Sequence, residues 1–266
     1  MYNLLSYVEI DKKVAECHKK NNHAIAFIPV GCTEQHGPFL PIQTDTIIAE
    51  GFCKDLSQSI GDNFWCYVFP PVCYTPTKSN VSYSGTVSVD EELLRRYVKQ
   101  ICDNILQSTF DAIVLVSGHG PVDASLNEIS FNLVHEQYQK TCNNIKPVFL
   151  LRLCECRPIL ERRLGQKTGQ HADWVELVHL FHILGYRYFD EQRRNEIAEF
   201  QKNNDFPPNE SLVLGIPMEL RSVQGVVGNP LPFSDEELSA VVSIAWEETL
   251  KYLKNALTYK LNNFWN

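Results

Sequence analysis

The sequence predicts an α/β fold built on a mostly parallel β-sheet with helices on both faces. Three observations point there. Apolar runs rich in branched residues alternate with amphipathic segments along the chain, the pattern of strands joined by helical crossovers. The clearest runs, Ala24 to Val30 and Ala112 to Val116, are continuously apolar and read as strands buried on both faces. Each leads straight into a polar, glycine-containing stretch, Gly31 to Asp45 and Ser117 to Asp123, and parallel sheets collect ligands at the carboxyl ends of their strands.

Taken in order, Val8 to Lys20 has helical character, with apolar Val8, Ile10, Val14 and Cys17 set among charges. After the Ala24 to Val30 strand, Thr44 or Asp45 is placed to cap a helix running to about Ile60, with Glu50 and Lys54 on its exposed side. Trp65 to Phe69 reads as a strand closed by Pro70 and Pro71. Cys73 to Ser88, rich in Thr, Ser, Pro and Tyr, reads as a long functional loop. Asp90 to Leu106 is an amphipathic helix with Asp90, Glu91 and Glu92 at its positive end. Beyond the Ala112 to Val116 strand come a helix from Ala124 to Gln139, a strand from Pro147 to Leu153, and helices from His171 to Leu184 and Asp235 to Leu257. The polar stretch Gln201 to Ser211 reads as a surface loop, not a boundary, so residues 1–266 are taken as a single domain.

The composition narrows the function. A net charge of −8 over 266 residues argues against nucleic-acid binding, because no basic field offsets phosphate repulsion. No apolar run approaches the roughly 18 residues that span a bilayer. The N-terminus lacks the basic start and small-residue cleavage site of a signal peptide. Nine cysteines, an odd number without a repeated spacing, point to reduced thiols and a cytoplasmic location.

Chemistry concentrates at the strand ends. Glu34, His36 and Asp45 leave the end of one predicted strand, His119 leaves another, and His171 with Glu176 opens a later helix. Imidazole and carboxylate are the donors that divalent zinc and its neighbours take. Glu34 and His36, two residues apart, share a face in extended backbone, and Gly37, Pro38 and Pro41 supply the turn that lets Asp45 fold back. Each residue alone is more often solvated or locally hydrogen-bonded; together they read as a metal site.

Other features have blander readings. Cys32 beside this site is expected to be a buried, inert thiol. Cys154-Glu155-Cys156 lacks a second pair and reads as packing, as do His179 and His182. Tyr74, Tyr83 and Trp174 are candidates to shape a pocket for a flat substrate, although aromatics serve cores more often. No Walker or dinucleotide fingerprint appears.

Gly31-Cys32-Thr33-Glu34-Gln35-His36-Gly37-Pro38, with Leu40-Pro41 and Thr44-Asp45, resembles the creatininase (creatinine amidohydrolase) family. The resemblance recurs at Gly85 to Ser88, Ser117 to Gly120, His171-Ala172 with Glu176, and Gly225 to Pro230. It implies a creatininase-like fold, a two-metal hydrolytic centre, cleavage of cyclic amides, formamides or other small-molecule C–N bonds, and a homo-oligomer, often a hexamer. By position, Glu34 and His119 would hold one metal, His36 the other, and Asp45 would bridge them. His171 would handle protons around the leaving group, with Glu176 near the second metal as ligand or proton carrier. Zn²⁺ is the default ion, with Mn²⁺ or Fe²⁺ as alternatives. Departures remodel the second half: Pro121 stands where creatininase has a metal-binding Glu, leaving that role to Glu176 or Asp123. Asn80 replaces a frequent His, and Leu177-Val178 replaces two hydroxyls. A small-peptide peptidase and a catalytically degenerate scaffold are therefore the competing expectations.

Overall fold

The computed structural model describes residues 4–141, 145–205 and 216–265. Four parallel strands, β1 (His23–Val30), β2 (Phe64–Val68), β3 (Ala112–Ser117) and β4 (Val148–Arg152), form one sheet in the order β2-β1-β3-β4. The helices in chain order are α1 (Tyr7–Lys19), α2 (Thr44–Ser59), α3 (Glu91–Gln107), α4 (Asp123–Thr141), α5 (Arg157–Leu164), α6 (Trp174–Leu184), α7 (Glu191–Asn203), α8 (Met218–Arg221) and α9 (Asp235–Trp265). The predicted alternation of strand and helix is thus observed.

Side chains alternate across the two central strands, as the period of a strand demands. Ile25, Phe27, Val114 and Val116 pack on one face with residues of α2, α6 and α9, among them Phe52, Trp174 and Trp246. Ala24, Ala26, Ile28, Ile113 and Leu115 pack on the other with Val14 of α1, Leu94 and Val98 of α3, and Leu126 of α4. Both faces are covered, which explains why the strand sequences are apolar throughout rather than alternating.

This topology fixes where a site can lie. The chain leaves β1 for β2 at one edge, then returns to β3 on the opposite side of β1. The two central strands pair in register from Ile25↔Ala112 to Val30↔Ser117, so they end at one level. A crevice opens where neighbouring strands send their connections apart. Gly31 and Gly118 begin the two loops that leave it.

Several local expectations are corrected. The cap position of α2 is Gln43, without a side-chain cap bond; Thr44 Oγ1 instead donates to Pro41 O at 2.6 Å, and Asp45 turns inward. The helix expected from His171 begins at Trp174, because His171 is held in an antiparallel bridge with Val227. The C-terminal helix continues past Leu257 to Trp265, burying Leu261 on the way. Gln201 to Asn203 close α7, which the sequence pattern did not show because Ile197 is its sole buried residue; residues 206–211 of the expected loop lie outside the described residues. Cys73 to Ser88 is mostly loop, with a short 3₁₀ turn at Lys78–Asn80.

Candidate metal centre

The site is assembled by close backbone approaches. A short antiparallel bridge, His36↔Leu40, turns the chain after β1, and Glu34 N–H donates to Ile42 O at 2.9 Å. That turn sets the first residues of α2 beside the ends of β1 and β3. A Cβ on Gly118 would stand 2.4 Å from Asp45 O, so only glycine lets β3 end directly against the first turn of α2. His119, the next residue, therefore faces Asp45.

Asp45 is the hub. Its Oδ1 lies 3.0 Å from His36 Nε2, and its Oδ2 lies 2.9 Å from His119 Nδ1. Each carboxylate oxygen thus addresses a different imidazole. Glu34 completes one side: Oε1 lies 3.3 Å from His119 Nδ1 and 3.6 Å from His171 Nδ1. Its other oxygen accepts hydrogen bonds from the Thr77 hydroxyl and from Asn80 Nδ2, the latter at 2.8 Å. Glu176 Oε2 approaches from the opposite side, 3.7 Å from His36 Nε2.

The histidine hydrogen bonds reveal what this arrangement suits. His36 Nδ1 donates to Glu34 O at 3.1 Å, and His119 Nε2 donates to Pro76 O at 3.0 Å. For His171, Nε2 donates to Gln35 O at 2.7 Å; the Gln35 amide hydrogens are taken by Asn80 Oδ1 and Gly225 O. Each ring spends one nitrogen on a backbone carbonyl and turns the other toward carboxylate oxygen. Such outer hydrogen bonds fix the tautomer of metal-ligating histidines. Asp45 Oδ2 is buried and makes no well-aligned hydrogen bond; its close neighbour is His119 Nδ1 at 2.9 Å, and with that nitrogen unprotonated the oxygen is an acceptor that a cation would satisfy.

Electrostatics agree. Burial opposes charge on His36, yet Asp45, Glu176 and Glu34 hold it up to about 10. His119 is likewise buried and is raised well above its ordinary value by Glu34 and Asp45. Burial would raise Glu34 and Asp45, but the facing imidazoles hold both below the usual carboxylate range. His171 is pushed down to about 4, by burial first and then by repulsion from His36. The centre is a buried negative field that takes up cations, whether protons or metal ions. The residues fit divalent ions: Glu34, His36 and His171, and likewise His36, Asp45 and Glu176, bring ligand atoms within 4.8 Å of one another.

Sequence reasoning missed part of the support. Arg157 of α5 binds Asp173 at 2.7 Å and Glu176 Oε1 at 2.9 Å, and Ala172 N–H donates to Glu176 Oε2 at 2.7 Å. Glu176 is therefore aimed by a guanidinium and a backbone amide. Burial raises it to about 7, against the pull of His36 and Arg157. Nothing in the Arg157 segment marks it as functional, since its partners lie in the next helix and only folding joins them. Asn80, noted as a departure, is the residue that steadies Glu34.

These groups border a cavity of about 380 Å³ lined by Glu34, Asp45, His119, His171 and Glu176, together with Arg221 and Met218. Asp123 stands apart from the centre; it begins α4, belongs to none of the ligand groups among the described residues, and lies 3.4 Å from the Cys154 sulfur. Cys156 donates to Leu153 O in a buried turn. His179 packs against Phe52 and Trp246 in the core and reaches the cavity wall, while His182, exposed, stacks on the outer side of Trp246. Tyr74, Tyr83 and Trp174 do not line this cavity: Tyr74 is exposed, Tyr83 donates to Ser222 O, and Trp174 is fully buried.

The same fold is found in solved structures. Creatinine amidohydrolase (creatininase) superposes with a TM-score of 0.71 at 18% identity, covering 95% of this chain and 96% of that one. Further creatininase structures are described as a Zn-Zn type and a Mn form. Among curated proteins, the mycofactocin precursor peptide peptidase of Mycolicibacterium smegmatis is 35% identical over 98 residues, 36% of this chain and 39% of that protein. Creatinine amidohydrolase of Pseudomonas putida is 26% identical over 116 residues, 42% and 43% of the two lengths. The matches thus span about two fifths of these curated relatives. A family model described as creatinine amidohydrolase matches residues 11–253, nearly the whole chain, and with that breadth of agreement the chain belongs to the creatininase family.

Proposed function

We propose that this protein is a metal-dependent amidohydrolase that opens a C–N bond of a small molecule. One observation carries the reading: Asp45 offers one oxygen to His36 and the other to His119, and both rings are locked by backbone carbonyls into the tautomer that ligates. Glu34 and His119 would hold the first ion, His36 and Glu176 the second, with Asp45 shared. Zn²⁺ suits this mixed N/O donor set, and Mn²⁺ is the alternative that the related structures support. Such ions, when bound, acidify water and polarise a carbonyl.

The chain's own residues do the rest. Glu176, oriented by Arg157 and Ala172 N–H, is placed to accept a proton from attacking water at Oε2. His171 presents Nδ1 toward the Glu34 carboxylate and the cavity; unprotonated there while Nε2 donates to Gln35 O, it can take up the proton that water releases by way of Glu176 and pass it to the departing nitrogen. The cavity matches a small molecule or the end of a peptide more than a folded protein. The similarity to a precursor-peptide peptidase favours a second reading, in which the bond belongs to a short peptide. The reading also takes residues 1–266 as one domain forming a cytoplasmic homo-oligomer; the free thiols among the described residues support the compartment.

Elemental analysis of protein purified without chelator tests the metal. About two ions per chain are expected, and a metal-free protein with activity would sink the proposal. Turnover of lactams, formamides and guanidino-amides against short peptides then separates the two bond types.

A further inference from the structure

Cys32 is buried in the wrong surroundings for an inert thiol. Cys53 and Cys156 belong to the apolar cluster on one sheet face and Cys102 to the cluster on the other. Cys32 is 0% exposed yet joins neither cluster. Its sulfur, the Glu34 carboxylate and a ring nitrogen of His119 lie within 4.8 Å of one another. The sulfur donates a long hydrogen bond, 3.8 Å, to Thr75 O and also lies within hydrogen-bonding reach of the His119 ring. Asp45 Oδ2, buried without a well-aligned hydrogen bond, faces His119 Nδ1 at 2.9 Å.

We propose that Cys32 is a ligand of the first metal ion, its Sγ joining Glu34 and His119, with Asp45 Oδ2 beside them at 2.9 Å from His119 Nδ1. This rests on the two-metal reading and deepens it. On binding, the S–H bond breaks, the proton leaves to solvent, and sulfur donates its electron pair to the cation. Two consequences follow. A thiolate makes the first site prefer Zn²⁺ or Co²⁺ over Mn²⁺, because soft sulfur selects softer ions. With Cys32 and the neighbouring Asp45 added, the first ion would meet more protein donors than the second, which His36, Asp45 and Glu176 would hold. An open position for water is the mark of a catalytic zinc, so the second site would be the one that leaves room for water.

Cobalt is the direct probe. Chelator-stripped protein reloaded with Co²⁺ should show visible ligand-field bands together with intense near-ultraviolet thiolate-to-metal absorption. The near-ultraviolet band should vanish in Cys32→Ser and persist in Cys53→Ala. Because loss of a supporting residue outside the ligand set already weakens metal binding about 10–100-fold, Cys32→Ser should lower the Zn²⁺-over-Mn²⁺ preference of one site by at least about tenfold. Zinc-edge X-ray absorption of the zinc-loaded wild type needs no variant, and should find a sulfur neighbour at about 2.3 Å. Ligand-field bands without the near-ultraviolet band, or a zinc-edge spectrum without sulfur, would overturn the role of Cys32 and leave the two-metal centre standing. Failure to bind cobalt or zinc at all would overturn both.

Discussion

Asp45 bears more of the site than its place in the sequence implies. Its two oxygens face different histidines, whereas Glu34 addresses the first side and Glu176 the second. On the two-metal reading, Asp45→Asn should therefore remove both ions, while Glu34→Gln should weaken one; metal-to-chain ratios after dialysis distinguish the two outcomes. The candidate ligands were legible because Glu, His and Asp cluster after one apolar run. Arg157 and Thr77 were not, since an arginine or threonine acquires its meaning from what folding sets beside it. His179 shows the same limit for stability. Burial lowers it to about 3 from an ordinary 6.5, so the unfolded chain takes up the proton first as pH falls. Its contribution is fully present above about pH 6.5 and is lost progressively toward pH 3, a change of order 4–5 kcal/mol. Urea midpoints measured from pH 7 to pH 4 should fall less steeply in His179→Gln than in the wild type.

At the level of elements, periodicity located the central strands and the amphipathic helices well. Buried parallel strands read as unbroken apolar runs, and α3 keeps Leu94, Val98, Cys102 and Ile105 on one side. It failed for α7, whose face is almost wholly polar, and for the start of α6, where the bridge to Val227 overrides helix propensity. Tertiary contacts set those boundaries, and a single sequence does not display them. The junction between β3 and α2 is the most demanding join. Gly118→Ala would drive a methyl group against Asp45 O, and the first turn of α2 would have to retreat with Asp45 on it. Loss of metal out of proportion to loss of fold is the expected result, read by metal content beside the circular dichroism spectrum.

Across the whole molecule, one sheet serves two apolar layers, and the centre sits where its middle strands end. Phe27, 0% exposed in β1, stands in the larger layer. Phe27→Ala should cost about 3–5 kcal/mol, appearing as a shifted denaturation midpoint in a single transition if residues 1–266 unfold as one unit. Gln35 acts at this scale as well. Its uncharged amide reaches Asn80 and Gly225, its main-chain oxygen takes the proton of His171, and its own N–H finds Thr86. Four distant stretches of chain are thereby laced together by a residue that no ion needs to touch. This lacing predicts that ions can be withdrawn by chelation and restored without the chain having to find its fold again, an outcome that circular dichroism before and after chelation checks.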